Sequence, residues 1–250
     1  MSKIVVANWK ANPQFEKEAE VLFNAILKGT KNIKNNKIVI CPPLPFLSIF
    51  KKVKNRKIIL GAQDVSRYSL GSHTGEVSPE MLADMGVKYV IVGHSERRIL
   101  DETNEIINEK ILNLLKFKLT PILCVGENDR DKDGIYLSFV EEQIKSCLNN
   151  ISRAQMKNII VTYEPVWAIS TNKTREATKE EFMEMKIFIK KVISDIYDSK
   201  TAHSTLILYG GSVSPLNVLS FIDEGKADGV LVGRDSLDPK KFIGILNSLN

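Results

Sequence analysis

Short apolar runs rich in β-branched residues recur along the chain, and between them the apolar positions switch to the three-and-four spacing of amphipathic helices. Ile4-Val5-Val6-Ala7 is the first such run. Phe15 to Lys28 then places Phe15, Ala19, Leu22, Phe23, Ile26 and Leu27 on one helical face, and Gly29 closes it. The second strand is expected at Lys37-Ile38-Val39-Ile40-Cys41, stopped by Pro42-Pro43, with a short helix around Leu47 to Val53. A third strand is expected at Lys57 to Gly61. A polar, glycine-bearing excursion from Gln63 to Ser78 follows, then a helix at Pro79 to Met85. Tyr89-Val90-Ile91-Val92 forms the fourth strand and ends at Gly93.

The rhythm continues through the second half. Thr103 to Phe117 reads as a helix with Ile106, Ile107, Ile111, Leu114 and Leu115 on one side, and Thr120 to Val125 as the fifth strand, ending at Gly126. A helix at Ile135 to Leu148 precedes the sixth strand, Asn158 to Thr162, which leads into Glu164. Thr178 to Tyr197 is a long helix striped by Phe182, Met185, Ile189, Val192 and Ile196. Thr205 to Tyr209, before Gly210-Gly211, is the seventh strand, and a short helix is expected at Leu216 to Ile222. Gly229-Val230-Leu231-Val232, ending at Gly233, is the eighth, and Phe242 to Leu249 the last helix. The strands are apolar on both faces, as in a parallel sheet covered by helices. Eight strand–helix units in 250 residues, with no linker or low-complexity segment, predict an α/β closed (β/α)8 barrel forming a single domain over 1–250. An open, doubly wound sheet is the structural alternative.

Composition narrows the function classes. A net charge of +5 favours small anionic ligands in a general way, but the lysines are scattered and no basic tract is interleaved with aromatics, which argues against nucleic acid. No apolar run has membrane-spanning length, and Met1 to Val6 lacks the layout of a secretory signal. Cys41, Cys124 and Cys147 are widely spaced, without a CxxC pair, and His73, His94 and His203 do not cluster with them. The expectation is a cytoplasmic protein with reduced thiols, no metal and no membrane.

In a barrel, chemistry belongs at the carboxyl ends of the strands. Pro165 cannot donate to a ladder, so it leaves Glu164 at such an end, where burial beside the Trp167 indole is expected to raise its pKa and suit it as a base. Pro165, Val166, Trp167, Ala168, Ile169, Ser170, Thr171, Asn172, Lys173 and Thr174 read as hinge and lid between that strand and the next helix. At the first strand end, Asn8 and Lys10 alternate onto one side, and the lysine suits an anion. His94 follows Gly93 and precedes Ser95, a candidate N-cap. Helix-start amides aimed at the ring would keep it neutral and able to donate. Glu96 is placed to pair with Lys10, and Arg97 and Arg98 read as ion-pair residues. Gly210-Gly211-Ser212 and Gly233-Arg234 end adjacent strands and can expose amides to a phosphate.

At these residues the chain resembles the triosephosphate isomerase family over its whole length. The matching motifs, in family order, are Ala7-Asn8-Trp9-Lys10-Ala11-Asn12, Gly61-Ala62-Gln63-Asp64, His73-Thr74-Gly75-Glu76, Gly93 to Arg98, Cys124-Val125-Gly126-Glu127, Tyr163 to Ile169, Tyr209 to Val213 and Leu231-Val232-Gly233. The resemblance implies interconversion of dihydroxyacetone phosphate and glyceraldehyde 3-phosphate. It implies Glu164 as base, His94 as neutral electrophile, Lys10 stabilising the enediolate, and Asn8 positioning substrate. Amides near Ser170, Ser212, Gly233 and Arg234 would hold phosphate, with Cys124 and Glu127 in support. No metal or organic cofactor is implied. The excursion from Gln63 to Ser78 resembles that family's dimer loop, with Thr74 reaching toward a partner's Lys10 region. The alternative is a catalytically impaired barrel with a binding or scaffold role.

Several positions depart from the family pattern. Ser170 and Asn172 stand where its lid has glycines, Arg175 where alanine is usual, and Arg234-Asp235 where Gly-Ala is common. The segment from Glu96 to Glu102 looks one residue short. The implied outcome is an active enzyme with altered closure or weaker phosphate affinity. Asp235 would repel a phosphate unless paired, with Arg234 as the nearest candidate.

Overall fold

The computed structural model describes residues 2–51, 57–169 and 175–250. The strands are β1 (Ile4–Asn8), β2 (Lys37–Cys41), β3 (Ile58–Ala62), β4 (Tyr89–Val92), β5 (Thr120–Val125), β6 (Ile160–Tyr163), β7 (Ile207–Tyr209) and β8 (Gly229–Val232). They pair in parallel in chain order, and β1 closes on β8 with Ile4 opposite Gly229 and Ala7 opposite Val232. The barrel is therefore closed, and the open sheet is ruled out.

The helices are α1 (Glu16–Gly29), α2 (Leu47–Lys51), α3 (Pro79–Asp84), α4 (Ser95–Arg98), α5 (Asn104–Lys116), α6 (Ile135–Cys147), α7 (Arg153–Met156), α8 (Lys179–Ile196), α9 (Ser199–Ser204) and α10 (Pro239–Ser248). Several start at a capping side chain, whereas α1 and α6 start without one. Thr178 and Glu181 form a reciprocal capping box at α8, whose Phe182, Met185, Ile189, Val192 and Ile193 are buried.

Alternation along the strands creates two cores. Val5, Ala7 and Trp9 belong to the layer between barrel and helices, where Trp9 packs edge-on against Phe50. Ile4 and Val6 join Val39, Cys41, Ile91, Ile122, Cys124, Ile160, Leu208 and Leu231 inside the barrel. This interior plug is packed side chain, so the open space lies at the mouth.

Two local expectations change. The helix expected at Leu216 to Ile222 is present but shifted, and it winds wide as a π-helix over Ser220–Glu224, where the Gly225 amide reaches the Ser220 carbonyl at 2.9 Å. Phe221 in that turn stacks on Tyr209 with centroids 3.7 Å apart, a contact between distant segments that periodicity could not reveal. The short helices α7 and α9 were not expected, although Ser152 and Asp198 cap them. Among the described residues no helix is long and apolar enough to cross a membrane.

Candidate active site

Glu164 sits one residue beyond β6 and is 2 % exposed. Its amide donates to the Val125 carbonyl (2.8 Å), so the sheet ladder holds its backbone one step past the strand. Gly126 lies against it: a Cβ there would fall 1.9 Å from the Glu164 carbonyl oxygen, so only glycine fits. The carboxylate is fully engaged across the barrel mouth. Oε1 lies 2.9 Å from His94 Nε2, and Oε2 accepts the Ser95 amide at 3.0 Å.

That amide is available because α4 begins one residue earlier than expected. His94, not Ser95, is the N-cap, and its Nδ1 accepts the Glu96 amide at 3.1 Å. Ser95 opens the helix and points its unpaired amide at the carboxylate, as the first turn of any helix can. Burial works against charge on His94, while Glu164 works for it and lifts its proton affinity above the ordinary value. The bond at Nδ1 decides the form of the ring: imidazolium could not accept a backbone amide. His94 is thus a neutral donor through Nε2.

Glu164 does not show the raised pKa expected for it. Burial pushes the carboxyl up, but His94, the Ser95 amide and Lys10 together outweigh burial and hold it below the usual value. The Trp167 indole is committed to Glu127. Its Nε1 donates to Glu127 Oε1 at 2.9 Å, the same oxygen that accepts the Tyr163 hydroxyl at 2.6 Å.

Lys10 enters from β1 with φ 52°, a left-handed backbone that costs a non-glycine residue about 1 kcal/mol. Two side chains hold it there. Asn8 Oδ1 accepts the Lys10 amide (3.0 Å), and Gln63 Nε2 donates to the carbonyls of Lys10 and Cys41, both at 2.9 Å. Lys10 Nζ then pairs with Glu96 Oε1 at 2.7 Å. Lys10, His94 and Glu164 face one cavity of about 200 Å³, whose opposite wall is Gly210, Gly211 and Ser212 after β7 and Gly233, Arg234 and Asp235 after β8. Ser212 Oγ donates to the Ala168 carbonyl at 2.8 Å, and Ile169 also lines the cavity. Asp235 is paired with Lys241 (3.3 Å), rather than with Arg234 as the sequence suggested.

Other predicted residues lie further off. Cys124 is fully buried in the barrel interior, where burial raises its thiol pKa. Thr74 is exposed on the long loop after β3. Arg97 pairs with Asp64 (3.1 Å) and Glu102 (3.2 Å), whereas Arg98 donates to the carbonyls of Gly93 and Cys124 and to Asn104, not to a carboxylate. Pro165, Val166, Trp167 and Ala168 form a turn over the Glu127 side, with the Val166 amide on the Glu127 carbonyl (3.0 Å). Ser170, Thr171, Asn172, Lys173 and Thr174 lie outside the described residues. Two functional groups escaped the sequence reading. The Ser95 amide is backbone and leaves no mark of its own, and Gln63 stands in a motif with no sign of which atoms it serves.

A family model described as triosephosphate isomerase matches residues 3–249. A triosephosphate isomerase of Dictyoglomus thermophilum is 39% identical over 249 residues, covering 98% of this chain and 99% of that protein. One of Dictyoglomus turgidum is equally similar, at 39% over the same shares. One of Aquifex aeolicus is 40% identical over 251 residues, covering 99% of this chain and 100% of that protein.

Proposed function

The chain belongs to the triosephosphate isomerase family, and from that premise we propose how this aldose–ketose isomerase interconverts dihydroxyacetone phosphate and D-glyceraldehyde 3-phosphate. Glu164 is the base. Its carboxylate is ionised, buried and held beside the cavity, so substrate entering there meets it at the carbon between carbonyl and hydroxyl. Removing a proton from that carbon leaves an enediolate, and returning it to the neighbouring carbon gives the isomeric carbonyl, with no net change in atoms or electrons. His94 donates from Nε2 to the carbonyl oxygen as charge develops there; a neutral donor can also take part in moving the hydroxyl proton. For this, His94 must exchange its Glu164 partner for substrate, which also frees the carboxylate to turn toward carbon.

Lys10 supplies a fixed positive charge near the enediolate oxygens, and Asn8 and Gln63 hold its backbone in place. The exposed amides after β7 and β8, around Ser212, Gly233 and Arg234, receive the phosphate, at the position barrels commonly use for that group. The observation that carries this reading is the convergence of Glu164, His94 and Lys10 on one cavity opposite those two glycine-bearing ends. A coupled assay with glyceraldehyde 3-phosphate tests it. Wild type should turn over, and Glu164→Asp, which retracts the carboxylate by one methylene, should lose about two orders of magnitude in kcat with little change in KM. Turnover unaffected by the substitution would remove Glu164 as base.

The protein is further read as a cytoplasmic homodimer of one barrel domain per chain. Its cysteines are buried and unpaired, as a reducing compartment allows. The loop from Gln63 to Ser78 presents Thr74 and leaves Leu70 83% exposed, beside a cleft of about 420 Å³ floored by Asp64, Arg97, Glu102 and Lys110. A second copy's loop suits that cleft, bringing its Thr74 toward Lys10.

A further inference from the structure

Arg175 has no part in the chemistry described so far, yet its guanidinium makes three contacts at once. It lies 4.1 Å from the centroid of the Trp167 ring, grips the Glu181 carboxylate through both terminal nitrogens, and donates to the Glu176 carbonyl at 3.1 Å. Each end of this bridge is anchored. Glu181 is fixed by the capping box at the start of α8, where its Oε2 accepts the Thr178 amide at 2.8 Å. Trp167 is 4% exposed and commits its Nε1 to Glu127.

Glu127 in turn accepts the hydroxyl of Tyr163, the residue before Glu164, and its own carbonyl accepts the Val166 amide. A second guanidinium, Arg130, reinforces this hub at 3.4 Å from Glu127 Oε1 and 3.3 Å from the Tyr163 hydroxyl. The residues on both sides of Glu164 are therefore held by one carboxylate, and the indole that completes the arrangement is backed by Arg175. Exposed ion pairs alone are weak. A two-nitrogen grip on a capped helix, combined with a planar cation on an aromatic face, is a more restrictive geometry.

We propose that Arg175 is a positioning residue for the isomerisation: by clamping Trp167 to the first turn of α8, it steadies the Trp167–Glu127–Tyr163 array and so the backbone from which Glu164 projects. This rests on Glu164 being the base. Small losses of alignment between a base and its carbon are costly, so the effect should fall on turnover rather than on binding.

The test is Arg175→Met, which keeps an unbranched apolar stem and removes the guanidinium, beside Arg175→Lys and Glu164→Asp. Arg175 is exposed, so its variants should fold. For Arg175→Met the expected result is a loss of about fivefold in kcat with KM within about twofold. It should also change the emission of Trp167, one of two tryptophans in the chain, the other being the buried Trp9. Arg175→Lys, which keeps a cation for both the ring and Glu181, should recover at least half of the lost kcat. Unchanged or faster turnover overturns the proposal, as does unchanged emission. A loss confined to KM and abolished by salt also overturns it, because Arg175 would then be a distant attractor for the phosphate. The Glu164→Asp arm separates the two readings. If it keeps full turnover, the base assignment fails and the positioning role with it, while Trp167 emission still reports the clamp itself.

Discussion

At the scale of residues, the site turns on where α4 begins. With His94 as cap, its Nδ1 is used by the Glu96 amide, its Nε2 hydrogen faces the cavity, and the Ser95 amide is freed for Glu164. Had Ser95 been the cap, neither the tautomer nor that amide would be set. The carboxyl's depressed pKa follows from this arrangement, with His94 the foremost of the groups that oppose burial. Removing His94 should therefore let burial dominate. In His94→Leu, a carbon-13 titration of the Glu164 carboxyl should move from below the ordinary 4.5 in wild type to above it. An unchanged or lower value would mean that His94 is not what keeps the carboxylate ionised. The linkage has a definite sign. A depressed folded-state pKa stabilises the fold above the unfolded value, and that stabilisation is lost as pH falls through the folded one. Wild type should thus resist mild acid better than His94→Leu.

At the scale of elements, the ends of β5 and β6 meet so closely that Gly126 and the Glu164 backbone share one space. The obstruction is main chain, which cannot rotate aside as a flexible side chain would. Gly126→Ala should therefore displace the base even though residue 126 touches no substrate. The expected result is a kcat lower by about a hundredfold in protein that still folds. A variant with wild-type kcat would show that the two strand ends slide apart at little cost. Periodicity located these strands and the helices after them to within a residue or two, because the apolar spacing that signals each element is the spacing that buries it. Ser152 and Asp198, which cap α7 and α9, were visible as residue types. Single helical turns, however, carry too few apolar positions to show a period. The wide winding at Ser220–Glu224 was illegible for another reason: Phe221 within it stacks on Tyr209 of β7, and a helical period does not report contacts between elements.

At the scale of the whole molecule, the proposed dimer has a direct test. Sedimentation should give a particle of about twice 28.1 kDa, and Leu70→Asp, which places a charge on the most exposed apolar side chain of the long loop, should shift it toward the monomer. A wild-type monomer at micromolar concentration, fully active, would sink the dimer reading. The long loop stands apart from the barrel rhythm, and its exposed Leu70 has no reason in the isolated chain.

The sequence by itself determined the count and order of the strands, the closed barrel, the strand ends that carry Asn8, Lys10, His94 and Glu164, and the family to which they belong. These are local or additive properties: a period, a proline stop, a residue type in a motif. The tertiary structure decided what each of those groups is bonded to. Lys10 has its left-handed backbone held by Asn8 from its own strand and by Gln63 from beyond β3, two strands away. Asp235 is paired with Lys241 from α10, and Glu164 is kept ionised by the cap and first residue of α4, beyond the end of β4. Pairings and pKa values depend on distances between segments far apart in the chain, and a linear sequence contains no distances.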